Sequence, residues 1–162
     1  MKNLLGIVNF LLFSLTWWAV INNYPHLPSK IPTHLGPSGA PDAWGPKFYI
    51  FIGPIIYAGI FILGIFLYLF APHKINLYPS FNIRNLTALL KRRAYDLIRR
   101  TLLIIGIGIG GLLFHITATV IRVARGEVRR LNPVYFILSI GLIIVYTGYS
   151  IRRFSKLVRE AK

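Results

Sequence analysis

The side chains that most often supply acid, base or nucleophilic chemistry are scarce in this chain of 162 residues. It has no cysteine, which excludes disulfides and thiolate chemistry. Its carboxylates are Asp42, Asp96, Glu127 and Glu160, too few to favour a hydrolase that works with paired carboxylates. The balance is therefore against an enzyme, and we expect no cofactor.

Several of the remaining reactive side chains gather between residues 22 and 47, in the segment NNYPHLPSKIPTHLGPSGAPDAWGPK. His26, His34 and Asp42 lie there, and two imidazoles with a carboxylate form a ligand set that zinc accepts. Their spacing matches no standard zinc motif. We therefore predict no metal site and keep these three residues only as weak candidates.

Six prolines and three glycines dominate the same segment, which we call the outer loop. Each proline fixes its own φ and biases the residue before it toward extended backbone. Gly36, Gly39 and Gly45 are expected to supply the positive φ values of tight turns. We predict a stiff, turn-rich cover. Its candidate ligand-binding or loop-organising residues are Pro32, His34, Gly39, Asp42, Trp44 and Lys47.

Four of these candidates have an expected structural role. His34 is expected to hydrogen-bond across the outer loop, and Asp42, after a proline, to form an Asx-turn. Trp44 is interpreted as an anchor at the membrane interface and Lys47 as a snorkelling cap on the second helix. The alternative is that the loop binds a ligand, and the sequence leaves both interpretations open.

The elements that position these residues are membrane helices. Hydrophobic residues make up 55% of the chain and charged residues 14%, far below the quarter typical of soluble domains. Apolar runs of about the length that crosses a bilayer cover residues 4–21, 48–71, 101–121 and 133–151. The prediction is an all-α membrane protein, one four-helix domain over residues 1–162, with the first helix retained.

The formal net charge of +15 would favour nucleic acid in a soluble protein. Here the basic residues flank apolar runs, where they set orientation and contact anionic lipid headgroups, so nucleic acid is not expected as a partner. With the N-terminus inside, 13 basic residues lie inside and 6 outside. We therefore predict a multi-pass protein of the cell membrane with both termini in the cytoplasm.

Residues 82–100 combine recurring leucines with a dense set of basic residues. This pattern predicts a basic amphipathic helix that lies on the cytoplasmic leaflet and leads into the third membrane helix. Asn82 or Asn85 is a candidate for its N-cap. Lipid contact is the favoured role, and docking of a protein partner is the alternative.

A second basic cluster follows the third membrane helix and consists of Arg122, Arg125, Arg129 and Arg130. This topology places it outside. The favoured interpretation is pairing with lipid phosphates, with Glu127 or with the helix dipole. The alternative is an electropositive patch for an anionic ligand.

His115 is an ionisable residue that lies well inside a predicted membrane segment, and this position makes it a functional candidate. The favoured interpretation is a neutral imidazole bonded to a tyrosine or threonine of the fourth helix. Gly106 and Gly110 form a G-x-x-x-G pair, a pattern that permits close approach of another helix. Polar or small residues also form stripes on the other helices, including Asn9, Thr16, Tyr57, Ser139 and Ser150.

The ordered run Leu27-Pro28, Ile31-Pro32-x-His34, Gly36, Gly39, Asp42 and Gly45-x-Lys47, between two membrane helices, resembles the family of domain of unknown function 1648. The resemblance covers about residues 5–70. One branch of that family comprises the SdpI-type immunity proteins, which protect a cell from a secreted toxin peptide and can signal across the membrane. The resemblance implies the helix–loop–helix arrangement and marks Pro32, His34, Gly39, Asp42 and Lys47 as family positions.

Three functions stay open. The first is a binding, signalling or immunity-type protein whose outer loop recognises a peptide, protein or lipid headgroup. The second is an accessory or structural subunit of a larger assembly, which suits the glycine-faced helices and an oligomeric state. The third is a small transporter or membrane enzyme for an anionic, lipid-like substrate.

Overall fold

The computed structural model describes residues 2–74 and 87–159. Within them the chain is mostly helical. In chain order the elements are α1 (Lys2–Asn23), a 3₁₀ turn (Tyr24–His26), β1 (Lys30–Leu35), β2 (Pro41–Pro46), a second 3₁₀ turn (Lys47–Phe51), α2 (Ile52–Lys74), α3 (Ala88–Ala124) and α4 (Pro133–Arg159).

All four helices in the described residues are long and apolar enough to cross a membrane. This confirms the four predicted spans, although the helices extend past the apolar runs. α3 begins at Ala88 instead of residue 101, and α4 continues to Arg159 instead of residue 151. Hydropathy marks the part of a helix that suits hydrocarbon, whereas caps decide where the helix ends.

The basic amphipathic segment leads directly into the third membrane helix, as predicted, and the structure shows no break between them. Its described part is continuous with α3, whose 37 residues form one α-helix about 55 Å long at 1.5 Å per residue. The Thr87 hydroxyl accepts a hydrogen bond from the Leu90 amide at 3.4 Å and caps the helix. Residues 82–86, including the expected caps Asn82 and Asn85, lie outside the described residues.

α3 is the central helix and packs against α1, α2 and α4. The predicted G-x-x-x-G pair faces α1 and α2, where each glycine leaves room for a polar side chain. The Asn9 side chain fills the space at Gly106, and the Tyr57 hydroxyl fills the space at Gly110. The Asn9 amide donates to the Leu103 carbonyl at 2.9 Å, which satisfies a buried polar group inside the bundle.

α4 packs on the opposite face of α3. Thr101 and Ser150 share a hydroxyl–hydroxyl hydrogen bond of 2.7 Å, and Gly108 admits the Ile143 side chain. Beyond the apolar runs, Phe154 is fully buried against Ala94 and Ile98. This small apolar cluster holds together the two helical extensions that hydropathy did not reveal.

The prediction of an all-α protein needs correction, because the outer loop contains an antiparallel β-hairpin made of β1 and β2. Proline cannot donate to a β ladder and is therefore tolerated where one strand edge is free. A two-stranded sheet has two such edges, and Pro32, Pro41 and Pro46 all lie within its strands. The hairpin is the rigid form that the proline-rich segment takes.

The hairpin and the loop between α3 and α4 lie at the same end of the bundle, since the Leu131 amide donates to the Gly39 carbonyl at 2.8 Å. We call this end the hairpin side. The opposite end, the terminal side, holds the start of α1 and the extensions of α3 and α4. Each of these two ends has a cleft.

Candidate functional site

One face of the hairpin is anchored in an apolar cluster on the hairpin side. Ile31 is 1% exposed and packs with Val20 at the end of α1, Ile50 in the second 3₁₀ turn and Ile121 near the end of α3. Pro32 is buried as well. Because all these elements contribute to one cluster, the hairpin has a fixed position over the helix ends.

The exposed face of the hairpin carries the His34–Asp42 pair. The His34 Nδ1 lies 2.5 Å from a carboxylate oxygen of Asp42, which confirms the predicted hydrogen bond across the loop. Asp42 lies in β2 and not in the expected Asx-turn. Its carboxylate contacts His34 across the hairpin. Gly36 leaves the room for this arrangement, since a Cβ there would lie 2.9 Å from the other Asp42 oxygen.

Gly39 forms the contact between the hairpin turn and the α3–α4 loop. Its φ of +77° is the left-handed value that we expected for the turn glycines. A Cβ at this position would also lie 2.8 Å from the Leu131 carbonyl oxygen. Gly36 and Gly45 do not have positive φ. They are close-approach positions, Gly36 for Asp42 and Gly45 for Thr33 and Tyr49.

Lys47 and Trp44 occupy the base of the hairpin. We expect Lys47 to form a snorkelling cap on the second helix, but the contacts of its side chain are with Tyr24, which directly follows α1. Its Nζ donates to the Tyr24 carbonyl at 3.4 Å and lies 4.7 Å from the centre of the Tyr24 ring. It thereby ties the base of β2 to the end of α1 by a cation–π contact. Trp44 is 53% exposed, and its role as an interfacial anchor stays a prediction.

The second basic cluster begins at the C-terminal end of α3. Gly126, with φ of +77°, ends the helix as the left-handed residue of a Schellman motif, in which the Glu127 amide donates to the Arg122 carbonyl at 2.9 Å. The Glu127 carboxylate lies 3.4 Å from Arg122 Nε and 3.8 Å from an Arg125 nitrogen. The expected pairing with Glu127 thus holds for these two arginines. Arg129 and Arg130 are exposed in the loop.

His115 faces the α3–α4 loop near the hairpin side. Its Nε2 lies 3.3 Å from the backbone carbonyl oxygen of Asn132, so Nε2 is the donor and carries the proton. Its ring packs against Tyr135 at 4.7 Å between centres. The partner is therefore a backbone carbonyl, and not the side-chain hydroxyl of α4 that we expected.

A cleft of about 650 Å³ opens between the hairpin and the helices α3 and α4. The end of β1 and the hairpin turn form one wall, Ile116 and Val120 of α3 form the base, and Leu131 and Phe136 close the other wall. His34 lies at the rim. A volume of this size and a mainly apolar lining are typical of ligand-binding clefts.

The structure joins some predicted residues at this cleft and separates others. His34 and Gly39 line it, and Asp42 contacts His34. Among the described residues, no three metal-ligating side chains come together, so His26 forms no such set with His34 and Asp42. No sequence pattern reveals the base of the cleft, because Ile116, Val120 and Phe136 are ordinary apolar residues of membrane helices.

Four apolar helices with a structured cap at one end define a multi-pass membrane protein. Residues 11–58 match the family described as Domain of unknown function (DUF1648), so this segment of the chain is similar to that domain. The match covers most of α1, the hairpin and the start of α2, and it is shorter than the expected range of about 5–70. No curated protein and no solved structure matches the chain.

Proposed function

We propose that this protein is a membrane binding protein whose hairpin side receives an amphipathic peptide from outside the membrane, as an immunity or signalling function requires. The cleft of about 650 Å³ between the hairpin and α3/α4 carries the proposal. One wall of the cleft belongs to the helix–hairpin–helix unit that the family match covers, and the cleft is open at the surface.

Chemical complementarity supports a peptide with an apolar side chain and an anionic group. The base of the cleft is formed by apolar residues such as Ile116, Val120 and Phe136. Leu131 lies in the wall of the cleft, and the two residues before it in the chain, Arg129 and Arg130, are exposed. An apolar side chain would enter the cleft, and a carboxylate would remain near these arginines at the rim.

The topology required by this proposal places both termini in the cytoplasm of a cell membrane. The positive-inside bias of the sequence supports that orientation. Because the chain has no cysteine, single introduced cysteines report accessibility cleanly. In intact cells, Ser38→Cys in the hairpin turn is expected to react with a membrane-impermeant maleimide, and Arg159→Cys is expected to react only after lysis. The reverse pattern would overturn the orientation.

Photocrosslinking in living cells tests the binding function. A photoreactive phenylalanine analogue replaces Phe136, which lines the cleft, or, as the matched control, Ile144, which is 65% exposed on α4 and lies outside the cleft. We expect a peptide adduct at position 136 and lipid adducts at position 144. Lipid adducts alone at both positions would count against peptide binding.

Filling the cleft gives a second test. Ile116→Trp places an indole at its base, whereas Ile144→Trp adds the same bulk outside it. The peptide adduct, and tolerance of a co-expressed toxin peptide if one is encoded with this protein, should decrease for Ile116→Trp only. An equal decrease in both variants would contradict a role for the cleft.

A second candidate function is membership of a larger membrane assembly, and α4 favours it. This helix packs on α3 and exposes many large apolar side chains on its remaining surface, including Ile137, Leu138, Ile144 and Val145. Lipid covers such a surface as well as a protein does. Purification in mild detergent separates the cases, because a lone protomer without other proteins contradicts a stable assembly.

A further inference from the structure

A second cleft, of about 420 Å³, lies on the terminal side between the extensions of α3 and α4. It is distinct from the cleft of the proposed function, which is at the other end of the bundle. The α3 residues that line it fall between Arg93 and Arg100, and the α4 residues fall between Tyr146 and Leu157. We call it the basic cleft.

Cationic side chains dominate the basic cleft. Arg93 and Arg100 project from α3, Arg153 and Lys156 project from α4, and Asp96 is the one carboxylate among the lining residues. Whatever pairing Asp96 makes, the lining keeps a positive excess. Four cations on two antiparallel helices repel one another, and an anion between them removes that repulsion.

The helix pair that carries these cations is fixed by contacts on both sides of the basic cleft. On the membrane side, Thr101 and Ser150 share a hydrogen bond of 2.7 Å. On the other side, Phe154 is fully buried against Ala94 and Ile98. The positions of the cationic residues are therefore set before any ligand arrives, which lowers the entropic cost of binding.

Two hydrogen-bond features distinguish the basic cleft from a simple charged surface. The Arg100 Nε is buried and has no hydrogen-bond partner among the described residues. The Arg153 Nε donates to the Tyr149 hydroxyl at 3.1 Å, which holds this guanidinium in place at the cleft. A buried guanidinium donor without a partner is costly, and an oxygen-rich anion is the ligand that would satisfy it.

The position of the basic cleft relative to the apolar part of α4 indicates where that anion comes from. Tyr146 and Tyr149 belong to the apolar part of α4, whereas Arg153 and Lys156 follow it, so the cleft spans the change from apolar to basic sequence. Phospholipid headgroups occupy this level of a bilayer, with tyrosines and basic residues around them. A lipid phosphate therefore reaches the cleft without leaving the membrane.

We propose that the basic cleft is a specific binding site for the phosphate-bearing headgroup of one anionic phospholipid. Arg100 and Arg153 hold the phosphate oxygens, Arg93 and Lys156 supply further positive charge, and the two tyrosines border the glycerol and the start of the acyl chains. The bound lipid neutralises the repulsion between α3 and α4 and so stabilises their extensions.

Native mass spectrometry of the full chain tests this site. The probe is phosphatidylglycerol mixed into detergent micelles, with phosphatidylcholine as the zwitterionic comparison. We expect the wild-type protein to retain one phosphatidylglycerol. The double variant Arg100→Gln/Arg153→Gln should bind it about a hundredfold more weakly, since each of the two lost charge-assisted hydrogen bonds is worth a factor of about ten.

The matched control is Arg92→Gln/Arg152→Gln, which removes the same charge from adjacent, exposed residues that do not line the basic cleft. It should retain the lipid as the wild type does. Equal loss in both variants would show diffuse surface attraction and overturn the proposal. Equal retention of phosphatidylcholine by the wild type would overturn it too.

Two further measurements separate loss of lipid binding from loss of the fold, and a lipid phosphate from a soluble phosphate. Lys156→Gln alters an exposed residue of the cleft and removes one of the mutually repelling charges, so it should weaken lipid retention without lowering the thermal unfolding temperature measured in the absence of lipid. Inorganic phosphate alone is the soluble arm. Stabilisation by inorganic phosphate that equals the effect of phosphatidylglycerol would assign the site to a soluble anion and overturn the lipid assignment.

Discussion

α1 and α2 contact one side of α3 in a different way from α4 on its other side. Toward α1 and α2, polar side chains fill glycine positions, with Asn9 at Gly106 and Tyr57 at Gly110. Toward α4, the contacts are an apolar side chain, Ile143 at Gly108, a hydroxyl pair and, past the apolar run, the apolar cluster around Phe154. The first interface places polar side chains against glycines, whereas the second is apolar in mid-bundle and has further contacts near its terminal side.

This difference indicates which part of the bundle tolerates amino-acid substitution. At Gly106 and Gly110 there is no free volume, because a buried polar group already occupies the space that a Cβ would need. α4 contacts α3 along one face and is otherwise exposed. Substitutions at the first interface should therefore disturb the whole bundle, whereas those at the second should loosen α4.

The largest effect is expected for Gly110→Ala. The added methyl group would overlap the Tyr57 hydroxyl, and this ring is only 1% exposed and cannot easily move. We expect a loss of about 3 kcal/mol, at the upper end for overpacking, measured as the free energy of unfolding in mixed micelles. Gly111→Ala is the control, because its Cβ would meet nothing within 4 Å. Equal losses in the two variants would contradict the packing of Tyr57.

Phe154→Ala should have the next largest effect. It removes a fully buried ring from the cluster with Ala94 and Ile98. We expect about 2–3 kcal/mol, somewhat less than for aromatic residues in large cores, with faster amide hydrogen exchange confined to the ends of α3 and α4. Ile151→Ala, at a side chain 46% exposed, should change exchange little. Faster exchange across α1 and α2 would show that the interfaces are not independent.

A smaller effect is expected for Ser150→Ala, which removes the hydrogen bond to Thr101. The Thr101 hydroxyl keeps the Leu97 carbonyl as a partner at 2.9 Å, so no buried donor is left without an acceptor. The expected loss is about 0.6 kcal/mol, typical of such bonds between membrane helices. Ser155→Ala is the control, since its hydroxyl bonds only within α4.

The same pair offers a geometric check. The double variant Thr101→Cys/Ser150→Cys should form a disulfide readily on mild oxidation, because the two hydroxyl oxygens lie 2.7 Å apart and the chain has no other cysteine. Failure to crosslink would contradict the pairing of α3 with α4. Gly6→Cys with Gly141→Cys, at open positions on the helices that lie on opposite sides of α3, serves as the non-crosslinking control.

The smallest effect on stability is expected for Asp42→Asn in the hairpin. The His34–Asp42 pair is exposed, with 67% and 51% of the side chains accessible. Such pairs contribute about 0–1 kcal/mol, so the bundle should keep its unfolding free energy while the hairpin amides exchange faster. Lys30→Gln, which also removes one charge from an exposed residue of the hairpin, is the control. A global loss of stability would mean that the pair does more than hold the hairpin.

The sequence predicted the four spans well because a bilayer crossing depends on composition over about 20 residues. It failed at the helix ends on the terminal side, where α3 starts at a Thr87 cap and α4 continues through basic residues. It also missed the hairpin, because prolines weigh against strands unless both strands are edges. The bond between His34 and Asp42 was within reach, since only eight positions separate the two residues.

The amino-acid sequence is enough to predict a membrane protein of four apolar helices with a rigid, proline-rich segment between the first two. These properties are local, set by hydropathy and by the fixed φ of proline. The three-dimensional packing is needed to see that His34 and Phe136 share one cleft, and that Arg100 and Arg153 share another. Such neighbours lie far apart in the chain, and helix packing around α3 brings them together, which no local pattern records.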